Sequence, residues 1–346
     1  MTAGVAAVAL TASATMASAA SAGPPRMSAA HTVASVADPE FAASADAAGV
    51  AHGFVNATHS GYGSQLTYFR ASAANIATRT APYTGQVVAT AWDGSDATYV
   101  VYARASTLYI AVHHDRSATF SHPTVLTTSY TYGGADVVAS AGKWWVVWAE
   151  WDGSHTSLFE RHTLLGSGER THAVSTPAAN DDLDPSLAYA SGKATMVWTR
   201  TPRSHGWPSQ IELGTSTGAL FSAATFVGGE ENDGQQVAVS AGHTYVAFEH
   251  GTNRMYEKDN ATGTWVTHEF ATHGLAGSVA VAGGVVYEAW STIDAKVFLA
   301  ARSGAGWAGS AVTGSGAGES AVLAGPAGPT LLYGTPHGLH VRFPVS

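Results

Sequence analysis

DVVASAGKWWVVWAE, residues 136–150, reads as a β-hairpin. Apolar residues alternate on both sides of Ala141-Gly142, a pair suited to a tight turn. Alternation sets Trp144, Val146 and Trp148 on one face of the second strand, and Trp145 and Val147 on the other. The pattern returns at PSLAYASGKATMVWTR (185–200), QVAVSAGHTYVAFEH (236–250) and SVAVAGGVVYEAWST (278–292). Weaker copies stand at VVATAWDGSDATYVVYAR (87–104) and SAVLAGPAGPTLLYGT (320–335). The hairpins restart near 87, 137, 187, 237, 279 and 321, a spacing of 50, 50, 50, 42 and 42 residues.

Between copies lies a second hairpin and a polar loop, as in RMYEKDNATGTWVTHEF from Arg254. Four strands in a unit of this length is the period of a propeller blade. The reading is therefore an all-β chain, a β-propeller of six blades with four antiparallel strands each. A seventh blade is the alternative if residues 50–85 make one of their own. The last unit, 320–346, has room for about three strands. A strand from the N-terminal stretch 65–82 is expected to complete it, which closes the ring and removes the sheet edges.

Composition agrees with strands and turns. There are 38 Gly, 10 Trp and 13 Tyr, and charged residues make up 12% of the chain. The formal charge is −9, and only four of the sixteen basic residues are lysine, so no basic stripe is present for nucleic acid. Without cysteine the chain has no disulfide, thiolate metal site or cysteine nucleophile. No cofactor and no metal is called for.

Residues 1–22 resemble a secretory signal, with a small apolar run and Ala-x-Ala sites, although no Lys or Arg precedes the run. Residues 23–49 are Ala/Ser-rich and read as a disordered leader. The propeller domain is then 50–346. Export to the extracellular space, a monomeric state and no membrane span are the corresponding expectations.

His113 to Phe120 carries a resemblance. It keeps Asp115, Thr119 and Phe120 of the Ser/Thr-x-Asp-x-Gly-x-Thr-Trp/Phe box, with Ser117 in place of the Gly and His113 in place of the first Ser. Lys258 to Trp265 keeps Asp259, Gly263, Thr264 and Trp265 at looser spacing. The chain thus resembles the neuraminidase, or Asp-box, propeller superfamily. In that box the Asp carboxylate is expected to accept backbone N–H bonds across a turn while the aromatic packs between strands. The resemblance does not extend to catalysis, because the Arg-Ile-Pro motif that opens the sialidase arginine triad is missing.

Any site is expected on the face where the loops entering the first strand and joining the second and third strands of each blade meet. Asp182, Asp184, Glu231 and Asp233 are candidate catalytic carboxylates, for an acid/base pair or an oxygen cage for calcium. Glu150, Trp151, Arg200, Arg203, His205, Trp207, His250 and Arg254 are candidate ligand-binding residues. A Trp beside Arg or His suits stacking on a sugar face with hydrogen bonds to its hydroxyls or carboxylate. The partner expected is an extracellular glycan, bound by a lectin-like propeller. A glycoside hydrolase or polysaccharide lyase is the alternative, and an extracellular protein-interaction scaffold is a third.

Overall fold

The computed structural model describes residues 25–345, apart from 58–63, 165–170, 176–178, 204–208, 217–220, 228–231, 252–253, 261–263, 272–273, 304–305 and 314–317. The described residues form strands and turns without a helix. They build seven antiparallel sheets, with the first strand of each sheet packed against the first strands of its neighbours around a closed ring. The first expectation of six blades is therefore corrected, and the seven-bladed alternative is the one the structure shows.

The added blade is the first, and it begins upstream of the stretch 50–85 considered for it: Pro39–Ala45, Ala51–Ala57, Gln65–Ala71 and Ile76–Thr84. Its innermost strand lies in the stretch 23–49 expected to be a disordered leader, which is a second correction. Its inner strand is rich in Ala and Ser and lacks the aromatic run that marks other copies. Small residues are what the crowded ring interior accepts there: Ala42 and Ala43 are fully buried beside Phe41 and Phe54. The ring does close through an N-terminal strand. His31–Ala34 pairs antiparallel with Gly338–Arg342 as the outermost strand of the last blade. That strand lies well upstream of residue 65, in the supposed leader.

The six recognised copies all begin inner hairpins, in blades two to seven. Their turns take the geometry that the dipeptides foretold. Ala141 and Gly142 have φ of 49° and 77°, and Ser191-Gly192, Ala241-Gly242 and Gly283-Gly284 repeat the pair of positive values. Two consecutive left-handed residues make the turn whose twist matches flanking strands.

Alternation then divides the core into seams between blades. Trp144, Val146 and Trp148 pack on the second blade, while Trp145, Val147 and Ala149 pack on the fourth. A polar residue just before each restart adds a main-chain link across several seams. Asp136 Oδ2 accepts the Leu187 N–H at 2.7 Å, Ser186 Oγ that of Val237 at 3.1 Å, and Ser278 Oγ that of Val322 at 2.8 Å. These acceptors satisfy inner-strand donors that would otherwise be buried and unpaired.

Candidate functional site

Among the described residues, the upper rim between blades three and four carries the most exposed aromatic side chain on the expected face. The second strand of blade three, Lys143–Trp151, ends just where its core alternation stops, so Trp151 is left 44% exposed. The second strand of blade four, Lys193–Pro202, hands over to Arg203, whose backbone N–H donates to the Ala179 carbonyl at 3.2 Å. The exposed side chain of Arg203 reaches toward the neighbouring blade. Its guanidinium carbon lies 6.0 Å from the centre of the Trp151 ring. The distance is at the outer edge of cation–π range.

Two ties hold this rim in place. The Thr156 N–H donates to Asp181 Oδ1 at 2.7 Å, from blade three to blade four. Next to Trp151, Asp152 Oδ1 accepts the N–H groups of Ser154 at 2.8 Å and His155 at 2.9 Å, closing a compact turn. Those backbone donors draw the Asp152 carboxyl down to about 2. His155 Nδ1 stands 3.1 Å from Asp152 Oδ2.

The acidic stretch at 180–185 is divided by strand alternation. Asp181 faces the rim. Asp182 points inward, is fully buried, and gives both oxygens to Arg200, with Nε at 2.8 Å and Nη2 at 2.9 Å. Glu212 completes the group, 3.5 Å from Arg200 Nη1 and accepting from Gln210 Nε2 at 3.0 Å. Asp184 adopts a left-handed φ of 48° at a bulge, and its carbonyl accepts from Gln235 Nε2. The structure thus places Asp182 and Arg200 together as an ion pair, its carboxylate buried and its guanidinium half-buried, rather than as open site groups.

The other sequence candidates are spread out. Glu150 accepts the Trp148 indole N–H at 3.0 Å. His250 and Arg254 are backbone partners on blade five. There His250 packs its ring edge-on to Tyr256, and Arg254 lies 3.9 Å from Glu269. The backbone of Asp233 pairs with Glu249. Glu231, His205 and Trp207 lie outside the described residues.

Sequence reading missed a polar network on the opposite, lower face. Asp115, in the turn after strand Thr107–His114 of blade two, reaches into blade one. Its Oδ1 accepts the Tyr68 hydroxyl at 2.6 Å and lies 3.4 Å from His113 Nε2. Its Oδ2 is 3.3 Å from His52 Nδ1. Asp46 approaches the other nitrogen of His52 at 3.4 Å, and Trp92 stacks on that ring at 4.1 Å. Burial alone would raise Asp115, but bonds from His113, His52 and Tyr68 hold it far below the usual carboxylate range. Burial would lower His52, but Asp115 and Asp46 raise it above its ordinary value.

This corrects the expected role of the Asp-box carboxylate. In this turn the backbone N–H of Arg116 donates to Asp96 Oδ1 at 2.7 Å instead, while Asp93 Oδ1 caps the turn of the inner hairpin through the N–H groups of Ser95, Asp96 and Ala97. The box aromatic does pack as expected, with Phe120 against Tyr83 and His113. The consecutive His113-His114-Asp115 was the visible signal, but its partners one blade away were not.

No family model matches the chain, and no curated protein is similar to it in sequence. Solved structures do match. A subtype N10 neuraminidase-like protein of a little yellow-shouldered bat isolate is similar at 8% identity and a TM-score of 0.50, over 74% of this chain and 93% of that one. The Aleuria aurantia lectin in complex with a fucose–GlcNAc ligand is similar at 12% identity and a TM-score of 0.54, over 80% and 96%. The polysaccharide lyase Uly1 is similar at 11% identity and a TM-score of 0.52, over 84% and 87%. At such identities the likeness concerns the fold alone. Among the described residues no helix is long and apolar enough to cross a membrane. The chain is a seven-bladed β-propeller, similar in fold to a neuraminidase-like protein, a lectin and a polysaccharide lyase.

Proposed function

We propose that this propeller is an exported, monomeric carbohydrate-binding protein without sialidase activity, and that it holds a sugar ring against Trp151. The observation that carries the reading is the exposed Trp151 with Arg203 beside it, contributed by two different blades. An indole offers an apolar face to the C–H side of a pyranose. Arg203, with Asp152 and His155 alongside, supplies donors and an acceptor for hydroxyls or for a sugar carboxylate. The lectin and neuraminidase-like propellers support the reading only as relatives in fold. The apolar signal at residues 1–22 supports export.

A glycan-active hydrolase or lyase is the second reading, and an interaction scaffold the third. Enzyme chemistry at the upper face requires a carboxylate or imidazole free to exchange a proton with the substrate. Asp182 is a poor choice, since Arg200 occupies both of its oxygens. The decisive experiment is a glycan array followed by calorimetry on the mature chain, run beside a turnover screen on neutral and acidic polysaccharides. Binding that disappears in Trp151→Ala, without turnover, is the expected outcome. Turnover would favour the second reading. Absence of both binding and turnover would overturn the first two.

A further inference from the structure

The seam between blades five and six differs from the others in its chemistry. Its buried apolar side chains form two separate clusters, one around Tyr245, Val279 and Val286 and another around Met255, Trp290 and Ala300. Charged residues occupy the space that strand alternation assigns between them. On blade five, Met255, Glu257 and Asp259 share one face of strand Arg254–Asp259. On blade six, Val286, Glu288 and Trp290 share one face of Val285–Thr292, and Arg302 shares its face with Ala300. Glu288 pairs with Ala300, so Arg302 is its diagonal neighbour.

Arg302 donates from Nη2 to Glu257 Oε2 and to Asp259 Oδ2. His268, on the fourth strand of blade five, brings Nε2 to 3.5 Å from Asp259 Oδ2. One ligand atom each from Glu257, Asp259 and His268 fits within a 4.8 Å span, the size of a metal coordination sphere. Glu288 is the independent observation. It is fully buried, interacts electrostatically with Glu257 and Arg302, and neither of its carboxylate oxygens has a hydrogen-bond partner among the described residues. A buried carboxylate left in that state is costly.

Charge counting indicates what would complete the group. Glu257, Asp259 and Glu288 bring three negative charges when ionised, and Arg302 offsets one. A single divalent cation neutralises the remaining two, whereas otherwise protons must do so. We propose that Glu257, Asp259 and His268 bind one divalent metal ion in this seam, with Glu288 supplying a further oxygen and Arg302 bracing the carboxylates. One imidazole nitrogen among carboxylate oxygens suits zinc or manganese better than calcium or magnesium. The ion joins two blades, so its role is to hold the ring together rather than to act on a substrate.

The test uses the full chain and does not involve glycan binding. Protein stripped with chelator is dialysed at pH 7.5 against Zn²⁺, Mn²⁺, Ca²⁺ or Mg²⁺ singly, and bound metal and Tm are then measured. Expected are one zinc or manganese ion per chain and a Tm raised by about 5 °C or more. Glu288→Gln and His268→Gln should lose at least tenfold in affinity, while His337→Gln, an exposed control on the upper face, keeps it. X-ray absorption on the loaded wild-type chain should count one imidazole among oxygen ligands, a readout that needs no variant to fold. Absence of a stoichiometric ion, undiminished binding by both variants, or a coordination shell without imidazole would overturn the proposal, leaving protons to neutralise the seam.

Discussion

The seam between blades one and two and the seam between blades five and six both bury charge, and they manage it in opposite ways. In the first, Asp115 accepts from Tyr68 and has His52 and His113 around it, near the lower surface, so one carboxylate has several donors. In the second, three carboxylates gather around a single guanidinium, and Glu288 has no donor for either oxygen among the described residues. The difference teaches that the propeller scaffold tolerates a polar seam in two forms. One is a network rich in donors that stabilises its anion. The other is a group rich in acceptors that needs a cation or protons.

The comparison breaks most sharply at its cations and anions. Arg302→Met should leave Glu257 and Asp259 buried without their guanidinium and cost about 3–5 kcal/mol in chelator-treated protein. Urea unfolding checks this. A loss below about 1 kcal/mol would show that protons already neutralise those carboxylates. Asp115→Asn retains shape but removes the charge that organises Tyr68, His52 and His113. It should cost about 2–3 kcal/mol by the same measurement.

Acidity sharpens the contrast. Asp115 is held below its ordinary value of 3.8. Its contribution is therefore present above about pH 4 and lost as pH falls below that. His52 is raised above 6.5, so its contribution is present below that pH and declines as pH rises through its folded value. The stability difference between the wild-type chain and Asp115→Asn should therefore be greatest around pH 4–6 and shrink on both sides. A difference that kept growing toward pH 2 would contradict the network. Trp151→Ala gives the smallest change in stability, within about 0.5 kcal/mol, since the ring lies on the rim outside both seams. The same variant should lose at least tenfold in glycan affinity, as read by calorimetry.

How far these regions were legible follows from where their partners lie. The hairpin with Trp144 to Trp148 was readable because its strand alternation and its Ala141-Gly142 turn are contained in fifteen consecutive residues. Trp151 was readable for the same reason, since it follows the end of that alternation. Pro39–Ala45 escaped because its Ala and Ser matched a leader in composition and an inner strand in packing. Asp182 was noticed as acidic, but its neighbour Arg200, 18 residues away across a strand pair, decided that it is buried and paired. Glu288 stood in the open as one acidic residue within VVYEAWS, an apolar alternation it interrupts.

The chain alone determined the repeat, the two-residue turns and the all-β class, because each depends on side chains one, two or a few positions apart. Only the tertiary structure decided the seventh blade, the pairing of His31–Ala34 with the last blade, and the partners of Asp115 and Arg302. Tyr68 lies 47 residues from Asp115 along the chain, and Glu257 lies 45 from Arg302. Contacts at that separation depend on how one twisted blade stacks on the next, and a period of two residues cannot specify the stacking.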